Sequence, residues 1–146
     1  MFEVVEFWIV NFTGAPLYWF SPNKTLDPDA KHNFIIKIIQ HIKELENGAE
    51  LIHEEHLGMF EIEGFNYYYL GTPRINSIFI AKSPRKFHPI SIDFDLSMVE
   101  RNFIYFFGKE LEIIENDKSK EASFLENLKD KFENSFFKEY FKKRLQ

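Results

Sequence analysis

His53-Glu54-Glu55-His56 is the one cluster in this chain whose side chains could hold a metal ion. Zinc needs three or four ligands that converge on a single point. On a strand, successive side chains alternate, so His53 and His56 face opposite sides. On a helix they would share a face with only one further carboxylate. The cluster therefore reads as the polar face of an edge strand, and no metal ligands are assigned. Asp93 and Asp95 are the second candidate. If their segment is extended they share a face and could act as a paired-carboxylate acid and base. The surrounding alternation turns them to solvent, where carboxylates keep ordinary pKa values, and Asp95 can equally help cap a following helix. His32, His41 and His88 are isolated. With no cysteine there is no thiolate nucleophile and no disulfide. The Gly14 turn and Gly71-Thr72 fall far short of a phosphate-binding loop. The expectation is a protein that is not an enzyme, with no catalytic residues, no cofactor and no metal.

Two stretches have the chemistry of adhesion instead. Leu17-Tyr18-Trp19-Phe20 is a short apolar and aromatic run with no charge before Lys24. An outer strand of this kind offers unpaired backbone groups and large rings, where edges are ordinarily blunted by charge or proline. It can finish the core, or serve as a partner surface by edge pairing with aromatic anchors. Near the C-terminus, Lys138, Lys142, Lys143 and Arg144 stand beside Phe136, Phe137, Tyr140 and Phe141. Cations at a helix's negative end explain that pattern; a weak anionic-membrane or partner patch is the alternative. The net charge of −5 argues against nucleic-acid binding. No stretch approaches 18 apolar residues, and neither a signal peptide nor a lipidation motif is legible. The chain is thus expected in the cytoplasm, with at most peripheral membrane contact.

The elements that must position these stretches follow from periodicity. With 146 residues, one domain is the default, burying roughly 68–70% of its unfolded surface. Its 18 Phe, 6 Tyr and 2 Trp promise a thick core. Val4 to Phe12 is almost solidly β-branched and aromatic, which requires a strand buried on both faces. Thr13 to Pro16 turns the chain into Leu17–Phe20. Asp27 caps a helix with Pro28 at its first position, Phe34, Ile35, Ile38, Ile39, Ile42 and Leu45 at helical spacing, and Asn47-Gly48 as its stop. Glu50–Leu57 reads as an edge strand, Met59–Leu70 as a long strand with Gly64 a bulge or turn in its middle, and Asn76–Ala81 as a fifth. Ile90, Ile92, Phe94 and Leu96 then alternate with Ser91, Asp93 and Asp95, and whether this segment is an extra strand stays open. A capping box at Ser97–Glu100 opens a helix carrying Val99, Phe103, Phe106, Phe107, Leu111 and Ile114, with Gly108 costing it roughly 1 kcal/mol relative to Ala. Asn116–Lys120 breaks it, and a last helix carries Phe124, Leu128, Phe132, Phe136 and Tyr140.

This order resembles the longin fold of trafficking SNAREs, adaptor small subunits, sedlin-type tethering subunits and the signal-recognition-particle receptor. Phe7-Trp-Ile-Val-Asn…Gly14-Ala-Pro-Leu-Tyr18 looks like the longin opening of apolar strand, glycine turn and aromatic strand. Ile52–Ile62 is similar to its charged third strand running into the fourth, and Asn76–Ala81 sits where the fifth precedes the paired helices. The related roadblock fold begins with an extra helix and ranks second. The resemblance implies an α+β domain over residues 1–146, a five-stranded, mostly antiparallel sheet in the order β-β-α-β-β-β-α-α, with one helix on one face and two on the other. It implies a stand-alone interaction module in vesicle trafficking or small-GTPase regulation, acting as a homo- or heterodimer. Its partner would be another longin or roadblock domain or a small GTPase, held through Leu17, Tyr18, Trp19, Phe20, Lys31, Phe34 and Ile38. The rival reading is a PAS-like small-molecule sensor with an aromatic pocket between sheet and helices.

Overall fold

The computed structural model describes residues 6–12, 16–20, 28–46, 57–84, 86 and 89–132. Five strands are present: β1 (Glu6–Asn11), β2 (Pro16–Phe20), β3 (Leu57–Ile62), β4 (Phe65–Thr72) and β5 (Ser77–Ser83). They form one sheet in the order β2-β1-β5-β4-β3, and every neighbouring pair is antiparallel. Three helices complete it: α1 (Pro28–Leu45), α2 (Pro89–Asn116) and α3 (Glu121–Phe132).

Alternation along the strands divides the apolar residues between two cores. Phe7 and Ile9 of β1 join Tyr68, Leu70, Phe79 and Ala81 beneath α2 and α3, where Ile92, Leu96, Val99, Phe103, Leu128 and Phe132 meet them. Trp8 and Val10 join Tyr67, Tyr69, Ile78 and Ile80 beneath α1, facing Ile35, Ile38, Ile39 and Ile42. The sheet is therefore covered by one helix below and two above, which is what a β1 buried along Glu6 to Val10 requires. Each Val, Leu, Ile and Phe among these contributes about 1.5–3 kcal/mol on full burial, so the layers are held by area. Leu45, the last of the expected α1 stripe, stays half exposed. The expected cap Asp27 and stop Asn47-Gly48 lie outside the described residues, as do Glu50–His56 and the basic aromatic stretch beyond Phe132.

Two boundaries differ from the sequence reading. The segment Ile90–Leu96 is helical, forming the first two turns of α2, eight residues upstream of the capping box at Ser97. Its period of two coincides with helical spacing: Ile92 and Leu96 are fully buried and continue into Val99, Phe103 and Phe107, while Ile90 and Phe94 point outwards, 75% and 59% exposed. Ser97 lies inside the helix, where its hydroxyl reaches back to Asp93 Oδ1 at 3.5 Å instead of capping a first turn. The second difference is the expected long strand Met59–Leu70, which is a hairpin. Glu63 and Gly64 take φ of 51° and 84°, the pair of left-handed residues that a two-residue turn needs to match the strand twist. Glycine holds that conformation freely; Glu63 does not advertise it.

Gly58 of β3 stands opposite Tyr69 of β4, whose ring lies across it: a Cβ at Gly58 would come 2.0 Å from Tyr69 Cζ. The ring's hydroxyl donates to Glu46 Oε1 at 3.0 Å, just past the end of α1. Burial pushes the Tyr69 phenol well above its ordinary pKa, helped by the Glu46 hydrogen bond, and burial with the nearby Glu6 charge does the same to Tyr67. The fold thus favours both neutral rings, while unfolded tyrosines ionise around pH 10. Stability is full below that value and falls as pH rises above it, by at most about 1.4 kcal/mol per pH unit for each ring. Urea midpoints measured from pH 8 to 11.5 should drop only on the alkaline side of 10, and less steeply in Tyr69→Phe.

Glu6 and Lys82 form a cross-strand pair on the α1 face, Nζ to Oε1 3.3 Å, with both side chains about a tenth exposed. The ammonium lies 4.3 Å from the Phe65 ring centroid and about 6 Å from those of Tyr67 and Phe34. On the opposite face, the Thr72 hydroxyl donates to Glu100 Oε2, tying β4 to α2. Asp117 breaks α2 from α3 by accepting from both the amide and the hydroxyl of Ser119. Those bonds hold its carboxyl below the usual carboxylate range.

Candidate functional site

Among the described residues β2 ends the strand order, at an edge of the sheet. Its residues divide by alternation. Tyr18 points into the α2/α3 core, edge-on to Phe132 at 5.0 Å, and is only 4% exposed. Leu17, Trp19 and Phe20 are half-buried. Trp19 faces the α1 side, T-shaped on Trp8 at 5.1 Å and 6.2 Å from Phe34. Phe34 is itself half-buried and lies 5.5 Å from Trp8. Trp19 and Phe34 therefore form a seam that joins the outer strand to α1. Ile38, expected beside them, is 2% exposed and belongs to the core beneath α1. Lys31 lies on the same helix. Four of the seven expected contact residues, Leu17, Trp19, Phe20 and Phe34, thus sit along one margin, and Tyr18 and Ile38 support it from within.

The opposite edge is β3, Leu57–Ile62, where the sequence reading set its edge strand earlier, at Glu50–Leu57. Among the described residues β3 pairs with β4 alone. Its two-residue turn makes Ile62 and Phe65 a hydrogen-bonded pair, and the ladder then alternates. Phe60 and Gly58 bond inwards to Tyr67 and Tyr69, while the backbone groups of Leu57, Met59 and Glu61 point away from the sheet. Met59 is 44% exposed. Phe60 instead faces α1, stacked under His41 with centroids 5.4 Å apart and planes 7° from parallel. The turn at Glu63-Gly64 was the available signal, because a two-residue turn fixes which groups face out.

Asp93 and Asp95 do not form a pair. Two residues apart on a helix, they point to different sides: Asp93 is exposed, and Asp95, expected at the surface, is 4% exposed. His53–His56 lie outside the described residues. Among the described residues no three His, Asp or Glu side chains converge to hold a metal ion, and no helix is long and apolar enough to cross a membrane. Between sheet and helices, rings fill the middle: Phe79 on Phe103 at 5.5 Å, Phe103 on Phe132 at 5.8 Å, and Trp8 stacked on Tyr67 at 6.1 Å. A cavity of about 390 Å³ opens beside them, between Leu17 and Ser77 of the sheet and Ile114 and Phe124 of the helices.

No family model and no curated protein matches the chain. Among solved structures it is similar to the crystal structure of a Roadblock/LC7 domain from Streptomyces avermitilis, with a TM-score of 0.53 at 9% identity over 72% of this chain and 86% of that one. The likeness is one of architecture: the chain has an α+β fold of the roadblock and longin type, with five antiparallel strands and three helices among the described residues.

Proposed function

We propose that the chain is a non-enzymatic protein-interaction module of the longin type, working in the cytoplasm in vesicle trafficking or small-GTPase regulation. It would act by pairing with a second copy, another longin or roadblock domain, or a small GTPase. The docking surface is the β2 edge together with α1. The observation that supports it is the seam of Trp19 and Phe34, which makes the outer strand and the first helix one continuous aromatic surface. Both sheet faces are already covered by the chain's own helices, so the margins are the places where the sheet can grow.

A second reading has its own observation: the outward backbone groups of Leu57, Met59 and Glu61 suit strand addition at β3. Two substitutions separate the readings. Trp19→Glu places a charge in the aromatic seam. Met59→Pro removes one outward donor while leaving the inward ladder intact. Light scattering after size exclusion should give a dimer for the wild type, or a heterodimer with a captured partner. Trp19→Glu should weaken association at least tenfold, about 1.4 kcal/mol, with Met59→Pro unchanged. The reverse pattern moves the docking edge to β3. A wild-type monomer at high concentration that also captures no partner sinks both.

A further inference from the structure

A groove of about 620 Å³ runs along α2, between the helix and the 3-10 turn Pro73–Ile75 that joins β4 to β5. From Arg101 to Glu115 it follows the helix for roughly 21 Å, at about 1.5 Å per residue. That is the length of a helical segment. Arg74, Arg101 and Lys109 line it, and none makes an ion pair or hydrogen bond with a described residue. Glu112 and Glu115 line it as well, Glu115 accepting from Asn76 Nδ2 at 3.0 Å. Three cations with no partner among the described residues share this groove, in a chain of net charge −5.

The middle of the groove is Gly108. A glycine inside a helix costs stability, and it is ordinarily kept for a positive φ or a close neighbour. Neither applies. Gly108 lies within α2, and among the described residues a Cβ there would touch only Ile104 Cγ2, at an ordinary 3.4 Å. The chain's own described packing does not need the gap. Around it the outer face of α2 is apolar as well as charged: Tyr105 is 83% exposed, with Phe106 T-shaped against it at 5.2 Å.

We infer that this groove docks an amphipathic helix of a partner protein, acidic where it meets Arg74, Arg101 and Lys109, with an apolar residue seated over Gly108. Charge complementarity favours acidic residues opposite the three cations and a basic residue opposite Glu112 and Glu115. A glycine lets two helix backbones approach closely, and Tyr105 supplies an aromatic anchor. The surface is separate from both sheet edges, so it does not depend on the pairing proposed above.

The test is selection of a displayed library of 18-residue amphipathic peptides against the full chain, with synthetic peptides of the enriched sequences then titrated. Enriched sequences should carry acidic residues beside an apolar stripe at helical spacing. They should bind the wild type at least tenfold more tightly than Gly108→Leu or the double variant Arg101→Glu/Lys109→Glu, and more weakly as salt rises. Gly108→Ala should melt above the wild type, showing that the gap serves nothing inside the fold. Trp19→Glu and Met59→Pro should bind the peptides as well as the wild type. An unenriched library, equal binding by the groove variants, or loss of binding in the edge variants overturns the inference. A fall in melting temperature for Gly108→Ala also overturns it, because residues of this chain then fill the groove.

Discussion

Glu6→Leu alone is expected to lower the unfolding free energy by about 3–5 kcal/mol, the cost of leaving a buried charge without its partner. Lys82 would keep its ammonium among Phe65, Tyr67 and Phe34, where the rings offer only a partial substitute for a carboxylate. Lys82→Met alone should cost a similar amount, since it strands the Glu6 carboxylate. The double variant Glu6→Leu/Lys82→Met removes both charges and fills the space with apolar atoms, and should return to within about 1 kcal/mol of the wild type or exceed it. The cycle is measured by urea denaturation of the four proteins. Additive losses would mean the pair is solvated and of little consequence, contrary to its burial. Total stabilities of domains this size are about 5–15 kcal/mol, so either single variant approaches the limit of folding.

Gly58→Ala carries the second large effect. A single methyl would enter the space of the Tyr69 ring, 2.0 Å from Cζ and 2.2 Å from the hydroxyl oxygen. The ring cannot simply swing aside, because it is buried beneath α1 and its hydroxyl is held by Glu46. Overpacking and the loss of that hydrogen bond together should cost about 2–4 kcal/mol. Tyr69→Val leaves room for the methyl, so the double variant Gly58→Ala/Tyr69→Val should be more stable than the sum of the single losses. Thermal melts of the three variants decide it. A Gly58→Ala protein as stable as the wild type would show that the ring is free to relocate.

Much of this fold was legible because its signals are continuous. The solid run into β1, the i, i+3, i+4 stripe of α1, and the Phe124–Leu128–Phe132 stripe of α3 each leave one economical arrangement. Helices on both faces followed from β1 alone. The start of α2 was not legible because Ile90, Ile92, Phe94 and Leu96 satisfy two periods at once. In the structure, the second and fourth of them are buried and the first and third are spent on the surface. The β3–β4 turn was half visible: Gly64 marked it, but Glu63 is an uncommon residue for its conformation. At the candidate site, the sequence pointed to the correct outer strand without distinguishing its two sides. Tyr18 turned inwards and Trp19 along the margin. The groove along α2 had no sequence signal beyond an unexplained Gly108.

A sheet sealed above and below also faces a problem of self-alignment. Where one side of a strand is wet, sliding by a single residue drowns polar groups and strands greasy ones, so misalignment punishes itself. Here a slipped β1 or β4 would find oil on either side, and hydrophobicity alone could not tell the right partner from the next one along. The keys that can are the singular matches, one lock of opposite charges at Glu6 and Lys82 and one of absent against oversized bulk at Gly58 and Tyr69. Damage to either should therefore show itself as strands that zip up wrongly and clump during refolding, beyond any loss of strength in the finished molecule.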